Sequence, residues 1–233
     1  MHTDTNTITK KKILVVGDVH GSNKWKSIKP KLYDKIIFIG DYLDSFDYNG
    51  EECLENLKEI IKFKKENDNV ILLLGNHELH YILKQVQYSG YQPTHQLTYR
   101  QLLEENITLF TCLYQYNNYI FSHAGLSKSY YTYIEEEIKN YSNKFTMTDL
   151  EVLSNLHIIQ PSLLDIKPRN CGGYSNFGSI LWERYNIIDD FYTLPNQNTI
   201  HVVGHTYHDN YIITPNVIFV DSIKDNNFLL FQI

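Results

Sequence analysis

Arginine is scarce in this chain: 233 residues carry three, Arg100, Arg169 and Arg184, and lysine supplies the rest of the 21 basic side chains. Against 27 acidic residues this gives a formal charge of -6, and the pI is near 5.9. A general binder of nucleic-acid backbone needs a basic face and a high pI, so that class of partner is not expected. Cysteine is equally sparse. Cys53, Cys112 and Cys171 lie far apart and form no CxxC pair, a pattern that suits free thiols in a reducing, cytoplasmic compartment. Long apolar runs are missing too: VILLL (Val70 to Leu74) and VIFV near the C-terminus fall far short of the roughly 20 residues that cross a bilayer. The opening MHTDTNTITKKK has no apolar signal-peptide core, and no repeat or low-complexity block follows it.

What is present is enough apolar sequence, 42% of residues, for one sizeable core. We expect a mobile lead-in over residues 1–11 and a single domain over 12–233. KILVVGDVHG reads as a buried strand followed by a helix-compatible stretch to about Leu32. DKIIFIGDYLD is a second strand, EECLENLKEIIKFKKEN has apolar positions at helical spacing, and NVILLLGNHE is a third strand whose tip opens another helix. Strand alternating with helix, and Val/Ile/Leu runs without polar interruption, indicate parallel strands covered on both faces. Beyond Ile107 the rhythm changes. LYQYNNYIFSHAG reads as a hairpin turning at Asn117-Asn118, and the C-terminal segment reads as successive strands with turns at His208 to Asn210, Pro215-Asn216 and Asp225 to Asn227. The sum is two mixed sheets packed together with helices outside. The Pro, Cys, Gly-rich segment KPRNCGGYSNFG fits no periodic element.

In open α/β sheets, sites form at the carboxyl ends of strands. Those ends carry Asp18 and His20 in GDVHG, Asp41 and Asp44 in GDYLD, Asn76 and His77 in GNHE, His123 in SHAG and His205 in GHT. Each lies near a glycine that eases a tight turn. Taken singly, such an Asp is ordinarily a turn or cap residue, and a lone His a satisfied interior side chain. Five tips in order, all bearing oxygen or nitrogen donors, make a ligand set for Mn, Fe or Zn without thiolate. Two such metals sharing a carboxylate can hold a hydroxide nucleophile and clamp phosphate oxygens.

These five blocks, in this order from about Ile13 to Thr206, resemble the signature blocks of the calcineurin-like metallophosphoesterases. More narrowly, they resemble the phosphoprotein phosphatase type that includes diadenosine tetraphosphate hydrolases. The resemblance implies a four-layer α/β/β/α sandwich and two divalent metal ions, manganese foremost with iron or zinc as alternatives. It implies Asp18 and His20 on the first metal together with His205, Asp41 bridging, and Asn76 and His123 on the second, completed from the neighbourhood of His205. His77 would be the general acid and Asp44 its orienting carboxylate.

Two departures matter. Protein phosphatases of this type read GDYVDRG and RGNHE, and their arginines grip the substrate phosphate. Here Ser45 and Leu74 occupy those positions, and bidentate contacts are lost. Arg184, in ILWERY, looks like the Trp-x-Arg block of bacterial and phage members and is the candidate phosphate contact, with a surface ion pair to Glu183 or Asp189 as the bland alternative. LLGNHELHYIL is similar to a block of the dinucleotide hydrolases. The expected substrate is therefore a phosphorylated molecule: a serine or threonine phosphoprotein first, a dinucleoside polyphosphate second. A binding scaffold without catalysis is a third reading, from another class. His80, His95, Tyr91 and Tyr174 are candidate neighbours of the pocket.

Overall fold

Period-two alternation along the N-terminal strands divides their side chains between two cores. In β1 (Lys12–Val16), Ile13 and Val15 face one apolar cluster and Leu14 and Val16 the other. In and just beyond β2 (Lys35–Phe38), Ile37 and Ile39 take the first side and Ile36 and Phe38 the second. β3 (Val70–Leu73) continues the pattern with Leu73 against Val70 and Leu72. The computed structural model describes residues 10–184, 190–222 and 228–232. Residues 1–9 of the expected lead-in, the turn expected at Asp225 to Asn227, and Asp189 lie outside them.

β1, β2, β3 and the short β4 (Phe110–Thr111) run parallel, with β10 (Phe228–Gln232) antiparallel at the β1 edge, in the order β10-β1-β2-β3-β4. The second sheet has the order β5-β6-β7-β9-β8. Its strands are β5 (Leu113–Tyr116), β6 (Tyr119–Ser122), β7 (Ile200–Val203), β8 (Ile212–Ile213) and β9 (Val217–Phe219). Phe121, Val202, Ile218 and Val220 of this sheet share one cluster with Ile13, Val15, Ile37, Ile39 and Leu73 of the first, so the sheets lie face to face. On the far face of the first sheet lie α1 (Gly50–Glu66), α2 (Asn76–Ile82) and α3 (Gln96–Asn106), contributing Leu57, Ile60, Tyr81, Tyr99 and Leu103. The same apolar body extends to Leu113 and Ile120 of the second sheet with Ile134 and Ile138 of α4 (Lys128–Phe145), Val152 of α5 (Asp149–Ser154) and Leu156 of α6 (Leu156–Ile159). Two mixed sheets between helices form the expected α/β/β/α sandwich.

Local chemistry sets the elements. Asn49 and Glu52 form a reciprocal capping box at the start of α1, with bonds of 3.0 and 2.8 Å. The hairpin between β5 and β6 turns at Asn117, φ +52°, a conformation asparagine tolerates. Two expectations need correction. The stretch before Leu32 is not an α-helix but two 3-10 turns, Lys24–Ser27 and Pro30–Leu32. Ile28 between them is extended, and the residue ahead of Pro30 is pushed out of the helical region. The C-terminal strands depart from simple succession in one respect: β7 and β9 pair in parallel, while β8 and β9 form an antiparallel hairpin at the expected Pro215-Asn216 turn.

Phe121 is fully buried between the sheets. Phe121→Ala should cost about 3–5 kcal/mol of stability. Urea unfolding at constant m-value measures this, and a loss under about 1 kcal/mol would contradict an inter-sheet core at that position.

Candidate metal centre

β1, β2 and β3 are parallel, and so are β6, β7 and β9, so the carboxyl ends of each triple face one end of the sandwich. The structure brings Asp18, His20, Asp41, Asp44, Asn76, His77, His123 and His205 together there. Four of them adopt left-handed backbone: His20 (φ +42°), Asp41 (+50°), Asp44 (+58°) and His205 (+61°). Such strain in non-glycine residues persists only where surroundings over-determine it. At the β2 tip Glu78 supplies that constraint. Its buried carboxylate accepts the backbone N–H groups of Asp41 (3.1 Å), Tyr42 (2.8 Å), Leu43 (3.1 Å) and Gly75 (3.0 Å), tying the β2 tip to the β3 tip. Two glycines allow the close approach. A Cβ on Gly75 would lie 2.0 Å from Asp41 Oδ1, and one on Gly204 would lie 2.3 Å from Asp18 Oδ1.

Two groups of side chains can each hold a metal ion: His20, Asp41 and His77, and Asp41, His123 and His205, with donor atoms within 4.8 Å of one another in each. Asp41 belongs to both. His123 Nδ1 donates to the Ile39 carbonyl at 3.1 Å, so in the neutral ring Nε2 carries the lone pair. That atom lies 2.9 Å from Asn76 Oδ1, 3.2 Å from His205 Nδ1 and 3.4 Å from Asp41 Oδ2. His20 is oriented the same way: Nδ1 faces the carbonyls of Leu43 (3.0 Å) and Asp44 (2.9 Å), which leaves Nε2 3.6 Å from Asp41 Oδ2. Imidazole lone pairs, carboxylates and an amide oxygen converging without a thiolate are a donor set that fits divalent cations. The grouping of His205 differs from the expected one. Its ring sits beside His123, and its backbone N–H rather than its ring engages Asp18, at 3.1 Å from both carboxylate oxygens.

His77 is held at both ends. Its backbone N–H donates to Asp41 Oδ1 at 3.0 Å, and Nδ1 lies 3.1 Å from Asp44 Oδ2. Asp44 is itself surrounded: Tyr81 Oη donates to Oδ1 at 2.5 Å, and His80 Nε2 is 2.6 Å from Oδ2. His80 Nδ1 accepts the Tyr88 N–H at 3.1 Å, so the ring proton is on Nε2, toward the carboxylate. His80 therefore lies buried against Asp44. The sequence offers for this only its position one helical turn beyond His77.

Burial and mutual charge set the electrostatics. Burial works against ionisation of Asp44, but hydrogen bonds from His77, His80 and Tyr81 hold it below the usual carboxylate range. Burial also opposes charge on His77 and His123, yet the carboxylates around them, Asp41 first, carry both up to about 9. Burial pushes Asp18 up to about 7. Asp221 follows the tip of β9 and lines the cleft; burial, then the charge of Asp18, carries it up to about 8. Asp221 is not among the residues singled out from the sequence, although an acid after the apolar run VIFV has the same signature as the other tips.

The site opens into a cleft of about 820 Å3. Arg184 lines it, and its Nε donates to Cys171 Sγ at 2.9 Å. Its contact with Glu183 comes from the backbone N–H, not the guanidinium. Ser45 also reaches the cleft, whereas Leu74 is buried in the core. His95 is absent from the cleft lining and leans toward Glu51 at 3.8 Å. Tyr91 packs on His80 and Tyr81, and Tyr174 is 97% exposed away from the cleft.

A two-sheet α/β sandwich with donors at five strand tips defines a metallo-dependent phosphatase fold. Solved structures agree. A point-substituted variant of a cold-active protein tyrosine phosphatase is 19% identical, with a TM-score of 0.60, and the match covers 94% of this chain and 75% of that one. The cold-active protein-tyrosine phosphatase of a psychrophile, Shewanella sp., is 19% identical with a TM-score of 0.56 and the same coverage. No curated protein sequence matches the chain. The sequence model of the calcineurin-like phosphoesterases matches residues 11–211, and the chain belongs to that family. Family membership implies divalent metal ions.

In metal-free protein the raised His77 and His123 favour the folded state fully below 6.5 and lose that contribution as pH rises through about 9. Asp221, raised from 3.8 to about 8, loses its contribution in the same direction. Thermal unfolding in chelator should therefore show stability falling across this window. Added Mn2+ should restore more at its upper end, because binding displaces the protons. A flat or rising profile without metal would contradict the arrangement.

Proposed function

We propose that the chain is a dinuclear phosphomonoesterase of the cytoplasm, with manganese as its metal and phosphorylated serine or threonine in protein as its first substrate. The observation that carries it is Asp41, which belongs to both donor groups and lies below an open cleft. Asp18, His20 and Asp41 would hold one ion, with His77 of the first donor group kept for proton transfer by Asp44 on its Nδ1, and Asp41, Asn76, His123 and His205 would hold the other. When bound, the ions supply a nucleophile at neutral pH and positive charge opposite the phosphate oxygens. Hydrolysis breaks the bond between phosphorus and the ester oxygen, and that oxygen must take up a proton. Asp44 on Nδ1 fixes the His77 tautomer and favours its charged form, leaving Nε2 to deliver the proton. The three free cysteines suit a reducing compartment, and no helix among the described residues is long and apolar enough to cross a membrane.

Phe46, 89% exposed, and Tyr207, 51% exposed, line the cleft and offer ring faces. They favour as a second reading a substrate that itself carries a ring, such as a dinucleoside polyphosphate. Phosphotyrosine, to which the names of the similar solved proteins point, belongs in the same comparison.

The test measures phosphate release with Mn2+ from phosphoserine and phosphotyrosine peptides, p-nitrophenyl phosphate and diadenosine tetraphosphate. Fastest turnover of the phosphoserine peptide is the expected result, and preference for the dinucleotide would replace it with the second reading. His77→Ala should lower kcat by about 10²–10⁴. Asp44→Asn should lower turnover by about 10–100-fold at unchanged metal content, read by elemental analysis. An Asp44→Asn variant as active as the parent would remove Asp44 from the mechanism.

A further inference from the structure

Replacement of the family's two phosphate-gripping arginines by Ser45 and Leu74 leaves the cleft to find its positive charge elsewhere. The irregular loop Lys167 to Ser175 supplies it. The loop closes on itself: Arg169 N–H donates to Ser175 O at 3.0 Å, Gly173 N–H to Pro168 O at 3.1 Å, and Gly172 takes the left-handed turn at φ +77°. A Cβ at position 173 would lie 1.9 Å from Lys167 O, so glycine is needed for that closure. Both ends of the loop's first half line the cleft, Lys167 and Cys171, beside Arg184.

Lys167 Nζ lies 4.6 Å from the centre of the Tyr88 ring and 5.6 Å from that of Trp182, and both rings line the cleft. Tyr88 is fixed in turn by its hydroxyl bond to Asp165 at 2.6 Å. No carboxylate among the described residues pairs with Lys167 Nζ within 4.0 Å. The ammonium is thus steered over the cleft by ring faces, which attract a cation without neutralising it. Arg184 is held by a thiol instead. Its Nε donates to Cys171 Sγ at the cleft wall, a bond that uses one of the five guanidinium N–H groups and leaves the four terminal ones outside it.

We infer that Lys167 is a substrate-binding residue, which with Arg184 takes the non-bridging oxygens of the substrate phosphate in place of arginines at 45 and 74. The inference rests on the phosphoesterase reading and assigns the phosphate-recognition role to the loop. Lys167 does not protonate or attack; it binds a tetrahedral dianion through charge.

The test uses the full-length, manganese-loaded protein with inorganic phosphate as probe, read by calorimetric titration and as a competitive inhibition constant against p-nitrophenyl phosphate. Lys167→Met keeps the apolar stem over the two rings and removes the charge. It should weaken phosphate binding about tenfold, the scale of one charge-assisted contact, and raise KM by a similar factor. Lys167→Arg should recover most of both, which separates lost charge from a disturbed loop. A Lys167→Met protein with parental phosphate affinity, or a Lys167→Arg protein as weak as Lys167→Met, overturns the assignment while leaving the phosphoesterase reading intact. Wild-type protein that neither binds phosphate nor cleaves any of the esters overturns both.

Discussion

A carboxylate with no solvent contact, Glu78, accepts backbone N–H groups from two strand tips at once. Four otherwise unpaired buried donors would make these turns untenable, since each costs about 1–3 kcal/mol when orphaned. With them satisfied, the chain can hold Asp41 and Asp44 in left-handed backbone, where their carboxylates point into the site instead of continuing the strand. The helix that carries Glu78 also carries Asn76 and His77 in its first turn. One short element therefore provides an amide donor, the imidazole proposed for proton transfer and the brace that aims the neighbouring carboxylates. Sheet and helix are coupled through it, so displacement of α2 would disturb ligands it does not itself bear.

The site concentrates charge of both kinds under near-complete burial. Asp18, Asp41 and Asp44 lie within a cluster that includes His77, His123 and His205. Like charges cannot all ionise in such a place, and protons are taken up by the imidazoles, as the raised His77 and His123 show. Cations placed at Asp41 substitute for those protons. Carbonyl groups of Ile39, Leu43 and Asp44 hold Nδ1 of His123 and His20, so the Nε2 atoms that a metal would take once deprotonated already point inward. The centre is preorganised by backbone, which is the least adjustable part of the structure.

Much of this is legible in the sequence for physical reasons. Buried parallel strands must be apolar on both faces, and a polar cluster beside a glycine at the end of such a run has few structural explanations, so GDVHG, GDYLD, GNHE, SHAG and GHT signal both sheet and site. The stretch 24–32 misleads because its scattered apolar residues mimic a helix, while Pro30 and extended Ile28 divide it into 3-10 turns. Glu78 is visible as a residue but not as a brace, since its β2-tip partners lie 35 to 37 positions away along the chain. His80 shows its proximity to Asp44 only once the β2 and β3 tips are brought together. Loop 167–175 has no periodicity at all, and its contacts with Tyr88 and Arg184 are long-range.

The same contrast underlies the proposed placement of phosphate recognition on loop 167–175 instead of the strand tips. Leu74 is 1% exposed and donates its N–H to Thr111 O at 2.9 Å, so that position is consumed by the core. Ser45 Oγ accepts the N–H groups of Asp47 and Tyr48, at 3.1 and 3.2 Å, closing the turn that follows Asp44. Neither side chain carries the charged, bidentate group that an arginine offers a phosphate. Metal donors must converge on one point and are pinned by backbone at five tips, so they leave little freedom to change. A cation that grips an outer phosphate oxygen needs reach more than precision, and an irregular loop anchored to aromatic rings can provide reach. Separating the two tasks places the exacting geometry on the sheets and the adaptable one on a loop, where the rim can change to suit another ester without moving a ligand.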